Sequence, residues 1–497
     1  MSTLTPREPY AQEELEKLYP CNLKLLLVQV LLRHGERSPV SARFQNAGLA
    51  PFWSYCSAAR QLVSTTMDDG SATWGHMKWR RRLETFGSDD NPVIASGLKG
   101  DVDALCDLGE LTDVGRKSTN ALGKRLRHLY VNQLQFMPST IQDADMIYLR
   151  ATPIPRALES LQETFWGMYP LYSHSSSFHQ PTIITRFRSE ETLIPNGYSC
   201  ERLAQLSKAF AQRAADRWNN SKEMDYLNML IGRWMPETSK RVKVDSQPRL
   251  SGIMDTINST LAHGPATRLP NEFYDSKGRE IIDKIVVEEW FSGYKESQEY
   301  RSLGIGALMG DIVSRMVYSA NGNEDLMDLG GGSSPSSRST RGEDAIKLGL
   351  SGCHDSTLAA ILASLGVFES GKWPPYTSHI AVELFRKKDL PRGLALTKLA
   401  TENAALASTS GNPSVIQSWF GLMLGVSPAV VKDTQGDANA SPGKVRMRVD
   451  ELEESDRRKL DGYFVRVRYN DQPMVIPGCQ VPGRHLDTDK SLCTLVF

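Results

Sequence analysis

A chain of 497 residues with 40% apolar composition can bury a large core, as one elaborated domain or two packed ones, without metals or disulfides to hold it. Lysine plus arginine and aspartate plus glutamate number 58 each, so no net field draws the protein to nucleic acid or to an anionic membrane. An anionic ligand would have to be met by a local cluster of cations.

Residues 1–20 carry Glu8, Glu13, Glu14 and Glu16 and no apolar stretch, so neither a secretory signal nor an arginine-rich transit pattern is visible. An intracellular, cytoplasmic location is the resulting expectation, with mitochondrial import as the alternative. Leu23 to Leu32 is rich in leucine and valine on both faces, and Lys24 and Gln29 make it too polar and short for a bilayer span. It reads as a buried strand running into the loop Arg33-His34-Gly35. Leu111 to Tyr130 opens with Thr112 as a cap and spaces Val114, Leu122, Leu126 and Leu129 as an amphipathic helix would. Met146 to Leu149 predicts a second strand, entering Arg150-Ala151-Thr152, and Arg156 to Met168 a helix.

Residues 186–245, with Trp218, Tyr226 and Trp234, have helical texture and predict a cap inserted into the core. A helix is expected over Tyr300 to Met316, then a strand over Ala345 to Leu350. That strand leads into Ser351-Gly352-Cys353-His354-Asp355 and a small-residue helix from Thr357 to Leu365. Two more strands follow, Ile380 to Phe385 and Tyr463 to Tyr469, the second alternating as a sheet-edge strand would. Residues 321–342, rich in glycine and serine, predict a flexible loop, and 401–460 a partly disordered insertion. The whole reads as an α/β fold, a central mostly parallel sheet flanked by helices, with the site on loops at the strand carboxyl ends. The seven cysteines, Cys21, Cys56, Cys106, Cys200, Cys353, Cys479 and Cys493, show no C-x-x-C spacing. Reduced thiols are expected, with Cys479 and Cys493 the single candidate pair. No metal and no cofactor is expected.

Arg33-His34-Gly35-Glu36-Arg37-Ser38-Pro39 crowds two guanidiniums and an imidazole on one loop after a buried strand. Such crowding suits an anion, because forked guanidinium donors can hold a tetrahedral phosphate on several oxygens. Gly35 would let the chain turn sharply and offer its carbonyl to one ring nitrogen of His34, aiming the other outward as nucleophile. The neighbouring charges favour the neutral, attacking imidazole. A solvated basic turn is the competing reading for a bare Arg-His-Gly string. His354 could donate to a phosphoryl oxygen, and Asp355 could hand a proton to a departing alkoxide. Taken alone, that pair is better read as a helix start, with Asp355 in the first turn favoured by the dipole.

The sequence resembles the second branch of the histidine phosphatase superfamily, the histidine acid phosphatases. The matching segments are RHGERSP at 33–39, GELTDVGR at 109–116, RATPIPRALES at 150–160, GCHDST at 352–357, WPPYTSHIAVELF at 373–385 and YFVRVRYNDQPMVIPGC at 463–479. Within it the chain is most similar to lysophosphatidic acid phosphatase type enzymes, through Arg156 to Ser160, IPNGYSC at 194–200, and Leu365 to Phe368 followed by Trp373-Pro374-Pro375. The family pattern has serine and aspartate where Ala151 and Pro153 stand here. The resemblance implies a phosphoglycerate-mutase-like fold over residues 22–480, discontinuous, with a helical cap from about 40–100 and 186–275. It implies that His34 becomes phosphorylated, that Arg33, Arg37, Arg156 and His354 hold the phosphate, and that Asp355 is the proton donor. The residues by themselves had not singled out Arg156.

The expected function is an acid phosphatase acting on a small phosphomonoester, lysophosphatidic acid being one candidate. Phe52, Trp53, Trp74 and Trp79, with the aromatic residues of the cap, could line an apolar entrance for a lipid chain. The alternatives are a phosphoglycerate-mutase-like phosphotransferase and a catalytically silent lipid-binding or scaffold protein on the same fold. Nucleic acid is not an expected partner, no transmembrane segment is expected, and the oligomeric state is open.

Overall fold

The computed structural model describes residues 3–67, 74–325, 346–368, 371–388 and 454–495. A short helix, α1 (Gln12–Leu18), precedes strand β1 (Leu23–Arg33) at the centre of a nine-stranded sheet. On one side of β1 lie, parallel to it, β8 (Leu348–Cys353), β6 (Ile147–Ala151) and β7 (Ile183–Ile184). On the other side the sheet continues antiparallel through β9 (His379–Lys387), β10 (Tyr463–Tyr469), β13 (Asp489–Thr494) and β12 (His485–Leu486), with β11 (Gln472–Pro473) on β10.

The largely apolar run of β1 is explained by helices on both faces. Leu27 and Leu31 point into one core, built with α7 (Ser276–Glu296), α9 (Ala307–Asp325) and α10 (Asp355–Ser364). Val28, Val30 and Leu32 point into the other, built with α2 (Asp113–Arg127) and α3 (Pro155–Met168). The period-two alternation of a strand sorts adjacent residues between the two cores. Thr112 caps α2 as expected, its hydroxyl accepting from the Gly115 N–H. Helices α2 and α3 press together where both lack side chains: a Cβ on Gly123 would sit 2.0 Å from the Thr164 carbonyl oxygen, and one on Gly167 would sit 2.1 Å from that of Asn120.

A separate apolar core packs α4 (Glu201–Trp218), α5 (Lys222–Ile231), α6 (Leu250–His263) and the inner face of α7 around Phe44, Trp53 and Met254. These helices lie within the span 186–275 read as a cap, and α7 carries the same core on to Glu296. Residues 40–100, expected to be helical, instead hold two β-hairpins, β2 (Gln61–Met67) with β3 (Trp74–Arg80) and β4 (Glu84–Phe86) with β5 (Pro92–Ile94). Both are largely exposed, so their apolar residues lack the one-sided pattern by which a strand is recognised.

Strand β10 is not an edge strand: it lies between β9 and β13, and its alternating arginines are buried. Arg466 and Arg468 share the carboxylate of Glu383 at 2.7 and 3.1 Å, and Tyr19 and Tyr130 donate to the same carboxylate at 2.6 and 2.8 Å. Burial pushes the Glu383 carboxyl upward, but the two guanidiniums and two hydroxyls overcome it and hold it at about 2. The polar alternation that resembles a solvent face is therefore an internal ion network.

The thiol expectation is also corrected. Cys56 pairs with Cys106 and Cys479 with Cys493, leaving Cys21, Cys200 and Cys353 free. Only the second pair was a candidate, because the first spans 50 residues and is brought together by the cap core. The loop expected at 321–342 begins inside α9, which runs to Asp325; residues 326–342 lie outside the described residues. Of the insertion expected at 401–460, the described part is 454–460, where Glu454–Lys459 forms a short helix. Among the described residues no helix is long and apolar enough to cross a membrane.

Candidate active site

The register of three parallel strands brings the distant loops together. Arg33 pairs with Cys353 across β1 and β8, and Ala151 with Gly352 across β6 and β8. Their carboxyl ends thus deliver residues 34–38, Thr152 and 354–355 to one edge of the sheet, where ligands of open α/β sheets bind. The antiparallel β9 starts at the same edge, His379 opposite Leu32, and so brings the loop 373–378 there as well. Arg156 arrives on the first turn of α3, whose Pro155 suits a helix start.

His34 is 1% exposed, and its ring lies 5.6 Å from that of His354, centroid to centroid. Its Nδ1 is 2.8 Å from the carbonyl oxygen of Gly35. A carbonyl can only accept, so Nδ1 carries the proton and the Nε2 lone pair is left for reaction. Burial, then the charges of Arg156, Arg33, Arg37 and His354, hold the imidazole well below its ordinary value. The ring stays neutral deep into acid.

Gly35 serves this geometry for a reason other than the sharp turn expected of it. Its φ is not positive, but a Cβ there would lie 2.4 Å from the carbonyl oxygen of Gly115. Conversely, a Cβ on Gly115 would lie 2.2 Å from that of Glu36. Two glycines face each other so that the loop after β1 can rest on the first turn of α2.

The four expected phosphate holders converge with His34. Arg33 donates to the Pro374 carbonyl at 2.5 Å and lies 2.6 Å from Asp355. Arg37 lies 2.7 Å from Asp255 and donates to the Ser38 carbonyl at 3.1 Å. The Arg156 side chain makes one long hydrogen bond, 3.4 Å to the Gly109 carbonyl. Burial and then Arg37 lower its guanidinium to about 10, with Asp355 opposing. A cation so placed gains most from an added anion. His354 stands immediately before α10 without a side-chain bond to its first turn, and its Nε2 is 3.0 Å from the Thr152 hydroxyl. Burial and then Arg156 push it down to about 3, against the partly compensating charge of Asp355.

Asp355 is the first residue of α10 and keeps 18% of its side chain exposed. Besides Arg33, it accepts from the Trp373 indole at 2.9 Å and from the Ser356 N–H at 2.8 Å. Burial raises this carboxyl, but Arg33, the Trp373 hydrogen bond and Arg37 outweigh that and hold it below the ordinary aspartate value. Three further residues of the site were not singled out from the sequence. Trp373 and Tyr376 stood inside the WPPYTSH segment without an assigned role, and Asp255 sits in a cap helix with no local signal at all. The Tyr376 ring faces Arg33 at 4.2 Å, Arg37 at 5.9 Å and the His34 ring at 5.9 Å. Next to it Thr377 takes a φ of +61°, an unfavourable conformation for a β-branched residue, where its N–H donates to the His34 carbonyl at 3.3 Å.

The aromatic entrance expected from Phe52, Trp53, Trp74 and Trp79 does not form as a group. Trp53 is buried in the cap core, 5.3 Å from the His263 ring, whereas Trp74 and Trp79 are exposed on the β2–β3 hairpin.

The arrangement can hold a tetrahedral anion among three guanidiniums, with a neutral imidazole beside it and a carboxyl within the same cluster. The family described as the histidine phosphatase superfamily (branch 2) matches residues 24–399. A probable acid phosphatase of Schizosaccharomyces pombe is 34% identical over 96% of this chain and 91% of its own length. The lysophosphatidic acid phosphatase type 6 of Homo sapiens is 26% identical over 73% of this chain and 74% of its own. Among solved structures, a multiple inositol polyphosphate phosphatase of Bifidobacterium longum, complexed with inositol hexasulfate, aligns with a TM-score of 0.49 at 11% identity, over 99% of this chain and 95% of that one. With a matched family over most of its length and a close relative along nearly all of it, the chain belongs to branch 2 of the histidine phosphatase superfamily.

Proposed function

We propose that this acid phosphatase hydrolyses phosphomonoesters in two steps through a phosphohistidine on His34. Nε2 of His34 attacks phosphorus in line, forming the P–N bond as the ester P–O bond breaks, and Asp355 gives its proton to the leaving oxygen. Water then attacks the phosphohistidine, the P–N bond breaks, and Asp355 takes back a proton. Arg33, Arg37, Arg156 and His354 hold the phosphoryl oxygens and stabilise the charge that builds on them. The observation that carries this reading is the His34 ring itself, tied through Nδ1 to the Gly35 carbonyl and surrounded by the three guanidiniums. That tautomer frees one nitrogen for attack, and a silent scaffold on the same fold has no need of a general acid placed as Asp355 is; a phosphotransferase would use the same acid and differs in passing the phosphoryl group to an alcohol instead of water.

Lysophosphatidic acid is the substrate named for the human relative, and it supports a phosphomonoester with an apolar leaving group as the first to test. The two disulfides favour an oxidising compartment over the cytosol expected from composition.

The test is release of phosphate from p-nitrophenyl phosphate by the wild type and His34→Ala, with rapid quench in base to trap the phosphoenzyme, since phosphohistidine survives base and is lost in acid. His34→Ala should lower turnover by roughly a thousandfold or more and leave no trapped label. Asp355→Asn should slow poor leaving groups such as glycerol far more than p-nitrophenol. Wild-type turnover in His34→Ala rejects the nucleophile, and equal losses on both leaving groups reject the acid.

A further inference from the structure

The cap helix α6 presents three polar side chains four residues apart, and each is bonded to a different loop of the site. Asp255 Oδ1 meets Arg37 at 2.7 Å. The Ser259 hydroxyl is 3.1 Å from the hydroxyl of Tyr376, whose ring faces both Arg33 and Arg37. His263 donates through Nδ1 to the Ser259 carbonyl at 2.8 Å, and its Nε2 is 2.8 Å from the Thr112 hydroxyl at the start of α2. Residues at i, i+4 and i+8 share one face of a helix, so the three contacts form a single stripe. The loop after β1, the cap of α2 and the loop before β9, represented by Arg37, Thr112 and Tyr376, are far apart in the chain, and α6 touches all three.

Asp255 is the strongest of these contacts. It is nearly buried, with 11% of its side chain exposed, and its second oxygen meets Arg43 at 3.5 Å and the Val40 N–H at 3.2 Å. The carboxylate is therefore fixed from two sides and can fix Arg37 in turn. A carboxylate beside a phosphate site has two opposed effects. Its charge weakens anion binding, and its hydrogen bond orients a flexible guanidinium that would otherwise have to be ordered by the ligand. The buried, short, doubly anchored contact favours the second effect.

We propose that Asp255 is a positioning residue that sets the Arg37 guanidinium for the phosphoryl group, and that α6 makes phosphate affinity depend on the docking of the cap. The proposal rests on the phosphate-holding role read for Arg37 above. It is tested by the KM for p-nitrophenyl phosphate and the Ki of inorganic phosphate in Asp255→Ala and Asp255→Asn, each alone and in an Arg37→Ala background. Asp255→Ala should raise both constants about tenfold with a smaller change in kcat, the mark of lost ground-state binding. Asp255→Asn keeps an acceptor for Arg37 and should restore most of the loss. With Arg37 already removed, neither change should have a further effect, as expected of a coupled pair.

A purely electrostatic role predicts the opposite sign, tighter phosphate binding in both variants, and that result overturns the proposal, as does an unchanged Ki. Should Asp255→Ala fail to fold, Ser259→Ala, which removes one hydroxyl, gives the independent reading: a Ki about twofold higher supports the α6 link, and no change counts against it. Failure of the underlying reading is separate, because it would show as an unchanged KM and phosphate Ki in Arg37→Ala alone.

Discussion

The carboxylate of Asp355 is joined to the guanidinium of Arg33 at 2.6 Å, and the same Oδ2 accepts from the Trp373 indole at 2.9 Å. A general acid must carry a proton, yet burial, which would supply the tendency to hold one, is outweighed here by Arg33, Trp373 and Arg37. In the proposed mechanism, phosphate bound to Arg33 would share that cation and add negative charge beside the carboxyl, so that substrate itself would raise the proton affinity of Asp355. The proposed acid would thereby be armed when it has a leaving group to protonate.

Trp373 tunes this balance from outside the chemistry, held by T-shaped contact with Trp290 at 5.8 Å and tilted contact with Phe291 at 5.0 Å. Trp373→Phe removes one donor to the carboxylate, so the carboxyl value rises. Activity that needs a protonated acid is lost as pH increases through that value, and the alkaline limb of kcat/KM should therefore move to higher pH. The profile is to be measured with a poor leaving group such as glycerol phosphate, for which proton donation limits the rate. A merely structural role for Trp373 would lower the profile without moving the limb.

The two site histidines make the free enzyme sensitive to acid. His34 and His354 are both held below the ordinary histidine value by burial and by Arg156, His354 at about 3. Below about pH 6.5 the unfolded chain binds protons that the folded chain refuses, so stability falls as pH drops. At pH 5 the contribution of His354 amounts to about 2 kcal/mol in favour of unfolding. Carboxylates with depressed values such as Glu383, at about 2, lose their contribution only at lower pH, which leaves pH 5–6.5 as the histidine window. Thermal melts at pH 7 and 5 should differ accordingly in the wild type and less in His354→Gln, and phosphate should restore more at pH 5. Equal melting at both values would show that the imidazoles are not held neutral.

Gly35 and Gly115 form the closest backbone approach at the site, with Cβ positions 2.4 and 2.2 Å from the opposing carbonyl oxygens. Flexible side chains can yield to such a contact, but backbone cannot. Gly35→Ala and Gly115→Ala should each lower stability by about 1–3 kcal/mol or more through overpacking, and activity should drop even where the protein folds, since the loop carrying His34 must lift off α2. Wild-type melting and turnover in either variant would mean the contact is looser than described.

What was legible in the sequence follows the range of the interactions involved. The run Leu23 to Leu32 announces a strand covered on both faces because its apolar residues from Leu26 to Leu32 are sorted between two cores. Thr112 announces its helix because capping is local. Arg156 could not be chosen from pattern, since its worth depends on a register between β6 and β8 that aligns Ala151 with Gly352. Asp255 and Tyr376 act only through contacts with distant loops, and the Val-Arg alternation of β10 mimics a solvent face because its charges find Glu383 inside the sheet. The hairpins of residues 61–94 defeat pattern reading for the opposite reason, being exposed on both faces.

Those hairpins depend on the Cys56–Cys106 disulfide, which spans 50 residues and closes the excursion at its base. Backbone bonds run beside it, Cys56 N–H to the Ala104 carbonyl and Cys106 N–H to the Trp53 carbonyl, both at 2.8 Å. Asp113, in the first turn of α2, accepts from the Ser57 and Ala58 N–H groups at 2.9 and 3.0 Å. Chain entropy assigns about 4 kcal/mol to a loop of this length and about 3 kcal/mol to the shorter Cys479–Cys493 loop. Reduction should therefore lower the melting temperature, and Cys56→Ser with Cys106→Ser should lower it more than Cys479→Ser with Cys493→Ser. The same double change at 56 and 106 should also raise the KM. Just past Cys106, the Asp107 carbonyl accepts from the Ser38 hydroxyl at 2.6 Å and the Gly109 N–H donates to the Pro39 carbonyl at 2.9 Å, so the turn braces the end of the Arg37 loop. Intact mass of the untreated protein showing seven free thiols, with melting indifferent to reductant, would remove this account.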